Sequence, residues 1–236
     1  MDEKNVLVGS GHGGNDTGAI GINNTYEKYL NLTLSKLVYD KIKKFLTQRK
    51  VYLLKDSDIY ISLGDRCTYA NERGPLYWFE FHFNSYNGEA KGIEIFTSEY
   101  TSQKNKDFAA YLCKEFSNNF GVKNRGAQTR LLSTGKDYYY IHRNTNMDIT
   151  TFIIEPGFID NVEDFKIITM NNFMEDASTF FAKLILESIY GIEYIIEEPS
   201  NKLYVVQAGA FSNLENAKNR VELLKSHGID SIIKTI

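Results

Sequence analysis

The chain has 236 residues, a length that supports one sizeable core and a small additional module. Its formal net charge is −3, from 27 basic and 30 acidic residues. This balance excludes the strongly basic surface typical of proteins that wrap nucleic acid or adhere to an anionic membrane. The two cysteines, Cys67 and Cys113, predict buried small side chains rather than a disulfide.

The amino-terminal segment does not resemble an export signal. After Met1, residues 2–5 are polar and run directly into an apolar segment, without the basic and apolar regions of a signal peptide. No apolar run of about 18 residues follows elsewhere in the sequence. We therefore expect a soluble protein that is synthesised in the cytoplasm.

Strand and helix patterns alternate through the first part of the chain. Apolar runs predict strands at Val6–Val8, Val51–Lys55, Trp78–Phe83, Gly92–Thr97 and Thr150–Ile154. Helical spacing predicts helices at residues 25–49, after a cap at Ser62, at Lys106–Phe120 and at Asn172–Tyr190. The alternation predicts an α/β fold, with a mixed, largely parallel twisted sheet flanked by helices.

A polar, proline-containing segment follows this domain. Beyond it, Leu203–Gln207 predicts a strand, residues 213–227 a helix ended by Gly228, and Ser231–Ile236 a second strand. We therefore predict three parts: a catalytic domain at 1–191, a linker at 192–201 and a small β-α-β module at 202–236.

Four polar side chains stand where packing alone does not require them. They are His12, Glu27, His82 and Glu155. His12 follows the first strand in a glycine-rich segment, at the strand end where open α/β sheets place their ligands. His82 shares a strand face with Glu80 and Asn84, because side chains two apart point the same way. Two imidazoles and two carboxylates together indicate a zinc hydrolase.

Each of these signals has a competing explanation. The segment at residues 9–14 matches the dinucleotide pattern GxGxxG, although the glycine-rich sequence after it does not begin the required helix. Glu27 completes a capping box with Asn24. His82 can be an ordinary hydrogen-bonded strand residue, and Glu155 an exposed turn residue before Pro156. Spacing alone does not decide among these interpretations.

Several ordered motifs lie between residues 6 and 190. They are GHGGNDTGA at 11–19, Glu27-Lys28 with Asn31-Leu32, Leu63 and Arg66 with Ala70-Asn71, His82-x-Asn84, and EPGFI at 155–159 with Asn161 and Glu163. This series resembles the zinc-dependent N-acetylmuramoyl-L-alanine amidases of the Amidase_3 type. By that resemblance we expect a peptidoglycan hydrolase that cuts the amide bond between the lactyl group of N-acetylmuramic acid and L-alanine of the stem peptide.

The resemblance also implies roles for residues. Matched motif by motif, His12, Glu27 and His82 would bind one zinc ion per chain, and Glu155 would be catalytic. Such a three-ligand set leaves the fourth zinc position open for water, as catalytic zinc sites do. Glu155 would then take the proton of that water and pass it to the leaving amine.

Four further residues are candidate substrate contacts. Residues 140–147 resemble a substrate-side segment of the family, which makes Arg143 and Thr145 candidates. Asn84 follows His82 and is a third. Glu80 stands where the family commonly has a small residue, and three roles remain open for it: a substrate contact, support for His82, or a solvated strand charge.

A second departure from the family concerns the support of His12. The family commonly has Asp-Pro where this chain has Gly9-Ser10. Because a metal-bound imidazole normally donates its other N–H to a carboxylate or carbonyl, the usual partner of His12 is missing.

The tail carries a second resemblance. Residues 203–211, Asn216-Ala217 and residues 224–228 resemble the SPOR repeat, a peptidoglycan-binding module, of which only one β-α-β half is present. His227 is interpreted as a helix-end residue. Because so small a piece does not sustain its own core, and Leu203, Val205 and Ile232 need cover, we predict a homodimer through residues 202–236. The alternative is that the tail docks on its own catalytic domain.

Two other functions remain open at this point. One is a non-catalytic protein that binds the cell wall, and the other is a zinc carboxypeptidase or deacetylase acting on peptidoglycan. Under the amidase interpretation we expect an endolysin or autolysin that reaches the wall after release or lysis.

Overall fold

The computed structural model describes residues 4–195, 208–229 and 231–233. Within them the strands are β1 (Val6–Ser10), β2 (Val51–Leu53), β3 (Tyr77–Phe81), β4 (Ile93–Thr97), β5 (Asn124–Gln128) and β6 (Thr150–Glu155). They form one sheet in the order β2-β1-β3-β6-β4-β5. All neighbouring strands are parallel except β6 and β4, which are antiparallel. The predicted mixed, largely parallel sheet is confirmed.

Helices occupy both faces of this sheet. They are α1 (Glu27–Phe45), α2 (Leu63–Arg73), α3 (Gln103–Phe120), α4 (Tyr140–Asn144), α5 (Val162–Ile168) and α6 (Phe173–Ile185). Ser62 caps α2 as predicted, since its hydroxyl accepts a hydrogen bond from the amide of Asp65 at 3.1 Å. The last turns after α6 widen into a π-helix at Leu186–Tyr190.

The two faces of the sheet bury different cores because strand side chains alternate. The larger core lies under α1, α3 and α6 and stacks aromatic rings, such as Phe79 on Phe152 with centroids 5.2 Å apart. The smaller core lies under α2 and α4 and includes Trp78 and Ile153. The polar side chains at the strand ends therefore open onto the face that fewer helices cover.

Three elements of this sheet and its cover were not predicted. The β5 sequence, Asn-Arg-Gly-Ala-Gln, has no apolar alternation, and the strand forms because it pairs with β4. The short helix α4 lies within the segment interpreted only as substrate-side. The third element is α5, which is capped by Asn161: its side chain accepts hydrogen bonds from the amides of Glu163 and Asp164.

The chain divides into two compact units, Met1–Tyr194 and Ile195–Ile236. The second unit contains α7 (Leu214–Ser226), capped by Asn213, and no residue of α7 is buried. The predicted strand at 203–207 lies outside the described residues, as does the linker at 196–201. Residues 231–233 do not form the predicted second strand, and residues 234–236 lie outside the description. In the part of the chain described here, no helix is both long and apolar enough to span a bilayer.

Candidate active site

Strand direction brings the candidate residues to one edge of the sheet. β1, β3 and β6 run parallel, so the residues at their carboxyl ends, His12, His82 and Glu155, lie side by side. The first residue of α1, Glu27, reaches the same edge. Because β4 runs the other way, its beginning lies here too, and Glu94 stands directly opposite Glu155 in the ladder.

Three of these side chains converge closely enough to share one metal ion. Potential ligand atoms of His12, Glu27 and His82 all lie within 4.8 Å of one another. Nε2 of His12 is 3.2 Å from Oε2 of Glu27, and Nδ1 of His82 is 2.9 Å from Oε1. The donor set of two imidazoles and one carboxylate is the one that catalytic zinc sites use.

Glu27 does not act as the partner of a capping box. Its Oε2 accepts a hydrogen bond from the amide of Ala19 at 2.9 Å, and its Oε1 accepts one from Asn31 at 3.0 Å. The residue before α1 is Tyr26, and no side chain caps the helix. Although burial opposes ionisation, hydrogen bonds with His12 and His82 hold the pKa of Glu27 well below its usual range. The carboxylate is therefore a buried anion facing two imidazoles.

Asp16 supplies the support for His12 that the departure at position 9 had placed in question. Oδ2 of Asp16 lies 2.9 Å from Nδ1 of His12. This leaves Nε2 of the ring facing Glu27. Burial lowers the pKa of His12, but the hydrogen bonds and charges of Glu27 and Asp16 outweigh it and raise the pKa overall. A carboxylate on the far nitrogen is the arrangement that orients a metal-binding imidazole.

The backbone around His12 requires glycine. His12 itself has φ of 60°, in the left-handed region. A Cβ atom on Gly11 would overlap the ring of His82, and one on Gly18 would lie 2.6 Å from both Oε2 of Glu27 and Cδ2 of His12. The glycine-rich segment is therefore explained by close packing of the cluster, not by a dinucleotide.

Glu80 is a buried, paired carboxylate and not a solvated strand charge. It is 2% exposed and forms a buried ion pair with Arg66, while the indole N–H of Trp78 donates to its Oε2 at 2.8 Å. A Cβ atom on Gly9 would overlap this carboxylate. Gly9 and Glu80, two residues that differ from the family pattern, are thus linked by packing. Glu80 fills the space that a side chain at position 9 would occupy.

Arg66 connects this ion pair to the His12 loop. Its Nη1 donates to the carbonyl of Ser10 at 2.6 Å, and its Nη2 donates to the carbonyl of His12 at 3.0 Å. The ammonium group of Lys55 also donates to the carbonyl of His12. Burial and the charge of Arg66 lower the pKa of Lys55 to about 8. Two cations from α2 and the loop after β2 therefore hold the backbone from which His12 projects.

Glu155 lies among other carboxylates and not in an exposed turn. Its Oε2 is buried without a hydrogen-bond partner among the described residues. Burial, followed by the charges of Glu27 and Glu94, raises the pKa of Glu155 well above its usual value. A carboxyl group with a raised pKa beside the cluster of His12, Glu27 and His82 is suited to transfer protons.

Asn84 lies at the same edge, in contact with Glu94. Its side-chain N–H donates to Oε1 of Glu94 at 2.6 Å, and its Oδ1 accepts from the amide of Ser85 at 2.8 Å. Arg125 donates to the other oxygen of Glu94 at 2.7 Å. The amide nitrogen of Asn84 thus holds the acid that faces Glu155, while its amide oxygen is occupied by the backbone of Ser85.

The structure does not bring Arg143 and Thr145 to this edge. They line a separate cavity of about 370 Å³ with Ser98 and Thr151. Thr151 is at the amino end of β6 and Glu155 at its carboxyl end, about 13 Å away at the usual rise per residue. The structure therefore places these two predicted substrate contacts away from the catalytic edge, because a segment that precedes a strand lies at the opposite end from residues that follow it.

Comparisons with known proteins agree with this geometry. Residues 6–189 match the Amidase_3 family, N-acetylmuramoyl-L-alanine amidase. A sporulation-specific N-acetylmuramoyl-L-alanine amidase of Bacillus subtilis is 27% identical over 97% of this chain and 83% of its own length. An endolysin of Bacillus phage SPP1 is 31% identical over 78% of this chain and 65% of its own length. A solved N-acetylmuramoyl-L-alanine amidase from Clostridium difficile has a TM-score of 0.70 at 25% identity, covering 80% of this chain and 98% of that one.

The tail has a match of its own. Residues 174–235 match the SPOR domain, so the predicted resemblance is confirmed. The match begins within α6, which packs against α1 and α3 in the first compact unit. Only the part after residue 194 is therefore available to form a separate module.

Proposed function

Because the chain belongs to the Amidase_3 family of N-acetylmuramoyl-L-alanine amidases, we propose that it hydrolyses the peptidoglycan amide bond between N-acetylmuramic acid and L-alanine of the stem peptide. The observation that carries this proposal is the meeting of Glu155 with the cluster of His12, Glu27 and His82 at one sheet edge. Amide hydrolysis needs a polarised carbonyl and a proton carrier, and this edge offers residues for both.

The metal that fits the cluster is zinc. His12, Glu27 and His82 would hold it, since two imidazoles and a carboxylate leave a fourth position open. Asp16 on the far nitrogen of His12 orients that ring. A bound zinc ion would supply Lewis acidity toward the amide carbonyl and toward water.

Glu155 is the proposed proton carrier. Its carboxylate takes the proton of the attacking water and then transfers it to the nitrogen of the leaving L-alanine. The buried surroundings and the nearby charges of Glu27 and Glu94 raise its proton affinity, which favours its holding the proton between the two transfers. Asn84 and Arg125 hold Glu94 in place for this effect.

Replacing Glu155 by Gln tests the assignment. The variant keeps the shape of the side chain but not the proton carrier, so the turnover of purified cell wall should fall about 100-fold or more, with zinc retained. Mass spectrometry of the wild-type digest should show free stem peptides that begin with L-alanine. Loss of terminal D-alanine or of acetate would instead support a carboxypeptidase or deacetylase, and an undigested wall a protein that only binds.

Replacing Glu155 by Gln should also change the stability of the fold in a pH-dependent way, which the loss of an ordinary exposed carboxylate would not do. The folded pKa of Glu155 lies above its unfolded value, so ionising the carboxyl group at neutral pH destabilises the fold, whereas below both pKa values this cost is absent. The Glu155→Gln variant without metal should therefore unfold at a higher temperature than wild type at pH 8. At pH 4 the two should nearly coincide. Equal unfolding temperatures at pH 8 would argue against a strained carboxylate.

The tail is proposed to bind peptidoglycan and to dimerise. The match to the SPOR domain supports the proposed binding of peptidoglycan. The proposed dimerisation rests on size, because about 35 residues do not sustain a core alone, and on the exposure of α7, which buries none of its residues. Two tails would complete one module, and two catalytic units on one module would hold the enzyme on an insoluble wall.

The cellular setting is proposed from the same features. We infer synthesis in the cytoplasm and action on the wall after release or lysis, as an endolysin or autolysin. Fractionation of producing cells, with an antibody against the chain, would test this inference.

A further inference from the structure

A groove of about 590 Å³ runs beside the proposed catalytic edge, on the face of β4 and β5. Its walls include Glu94 and Phe96 of β4, Arg125 and Gln128 of β5, and Arg130, which follows β5. On this face α2 and α4 cover the strands around Trp78 and Ile153, so the outer strands remain open. The groove begins where Glu94 faces Glu155 across the antiparallel ladder, with Cβ atoms about 5 Å apart in such pairs.

The groove is cationic. Lys123, Arg125 and Arg130 contribute three positive charges, against the single acid Glu94. Glu94 is already satisfied, since Asn84 and the Nε of Arg125 occupy its two oxygens. The terminal nitrogens of Arg125 therefore remain available. Lys123 and Arg130 form no ion pair with another described residue. The groove therefore suits an anionic ligand.

The order of the strands determines on which side of Glu155 the groove lies. Along the edge, His12 and His82 follow β1 and β3, Glu155 ends β6, and β4 and β5 come next. In the proposed reaction the acyl carbonyl lies at the cluster of His12, Glu27 and His82, and the leaving nitrogen lies at Glu155. The peptide that starts at this nitrogen is thus directed toward β4 and β5.

Tyr139 connects Glu155 with the far side of the groove. Its ring packs on Phe96 with centroids 4.7 Å apart. Burial and then the negative charge of Glu155 raise the pKa of Tyr139, whereas the positive charge of Arg130 opposes this shift. Arg130 also stacks on the ring of Tyr138 at 3.8 Å, which orients its guanidinium group.

We propose that this groove binds the stem peptide and that Arg130 and Arg125 recognise its carboxylates. This inference rests on the proposed amidase function. Two strand spacings of about 4.8 Å separate Glu155 from β5, and an extended peptide advances about 3.5 Å per residue. Arg125 lies near the level of Glu94, whereas Arg130 lies further along the strands than Glu155, so its long side chain and that of the acidic residue after L-alanine must together span the remaining distance. Guanidinium groups bind carboxylates with paired hydrogen bonds.

The test uses two synthetic substrates that differ at one group. Both carry N-acetylmuramic acid linked to L-alanine and an acidic second residue, with either a free carboxylate or a carboxamide on that residue. The wild-type chain should cut the free carboxylate about 10-fold more efficiently, as expected for loss of a charged hydrogen bond. Arg130→Gln should raise KM about 10-fold on the carboxylate only, with kcat nearly unchanged.

Lys114→Gln provides the matched control, since it removes the same charge from an exposed position on α3, away from the groove. It should behave as wild type on both substrates. Equal loss on the carboxylate and carboxamide in Arg130→Gln, or no preference in wild type, would overturn the inference.

A binding measurement separates this inference from the proposed function. The peptide that the cut would release, L-alanine followed by the acidic residue, is titrated into the full chain by calorimetry. Binding that weakens about 10-fold in Arg130→Gln supports the groove, even if neither substrate is cut, and that outcome would overturn the amidase proposal alone. Hydrolysis without such binding or preference would retain the amidase and overturn the groove.

Discussion

At the scale of single residues, the site depends on how carboxylates are placed in a buried setting. Glu27 is held ionised by two imidazoles, whereas Glu155 is held toward its protonated form by burial and by neighbouring acids. The same side chain chemistry thus gives a candidate ligand and a candidate proton carrier, as their environments shift the two pKa values in opposite directions.

Glu27→Gln separates a ligand from a structural role. Glutamine can still accept the hydrogen bond from Ala19, so the start of α1 should persist and the circular dichroism of the helices should be unchanged. As a ligand, however, the side chain loses its charged oxygen, and zinc affinity should fall more than about 100-fold. Competition with a chelator measures this. Glu72→Gln, at an exposed position on α2, is the control, and unchanged zinc affinity at position 27 would reject the ligand assignment.

Glu94→Gln should change the pH dependence of hydrolysis. Glu155 must be ionised to accept a proton, so the rate falls as the pH drops through its folded pKa, which lies above the usual value. Removing the negative charge of Glu94 lowers the pKa of Glu155, and the acid limb of kcat/KM should move to lower pH. Profiles from pH 4 to 8 check this shift. Glu89→Gln at an exposed position should leave the limb in place, and a limb that stays or rises in the variant would contradict the prediction.

At the scale of elements, strand direction determines which residues share the site. Parallel β1, β3 and β6 carry His12, His82 and Glu155 to one edge, and the reversed β4 adds Glu94 there. The same rule places the segment before β6 at the other end of the sheet. A helix with a site-like sequence can therefore lie far from the reaction.

Arg143→Ala and Thr145→Ala test this placement. The guanidinium group of Arg143 donates to the carbonyls of Asp137 and Tyr138, and because this side chain is exposed its loss should lower the unfolding temperature only slightly, by about 1 kcal/mol of stability or less. The kcat/KM on cell wall should stay within a few-fold of wild type for both variants. A loss of 100-fold or more in a stably folded variant would return these residues to the substrate site.

At the scale of the whole molecule, the two compact units differ in how far they bury their own side chains. The unit at Met1–Tyr194 buries its own core, whereas α7 of the second unit buries none of its residues. Among the described residues of this unit, exposed apolar side chains such as Leu214 and Ile232 are therefore candidates for a contact surface. A second copy of the tail is the partner that the half repeat itself suggests.

Light scattering tests the dimer. The full chain at micromolar concentration should have about twice its monomer mass of 27.1 kDa. A chain that ends at Tyr194 should be monomeric and still hydrolyse wall, with weaker retention on insoluble material. A full-length monomer would refute the pairing without affecting the amidase proposal, and would support docking of the tail on its own catalytic unit.

The sequence by itself determined the mixed, largely parallel sheet and the candidate cluster. Apolar runs and helical spacing are local signals, and motif order identified His12, Glu27, His82 and Glu155 before any contact was known. β5 was not predictable, since its polar sequence becomes a strand only through its pairing with β4. Neither was the position of Arg143, because the end of the sheet at which a segment lies depends on the direction of the next strand.

Only the tertiary structure decided how the polar residues pair. Glu80 and Arg66 are 14 residues apart and belong to different elements, yet their ion pair fills the space above Gly9. Glu94 gained its place opposite Glu155 through the antiparallel insertion of β4, which no local pattern records. Pairings of this kind depend on burial and on long-range register, and a chain's local preferences carry information on neither.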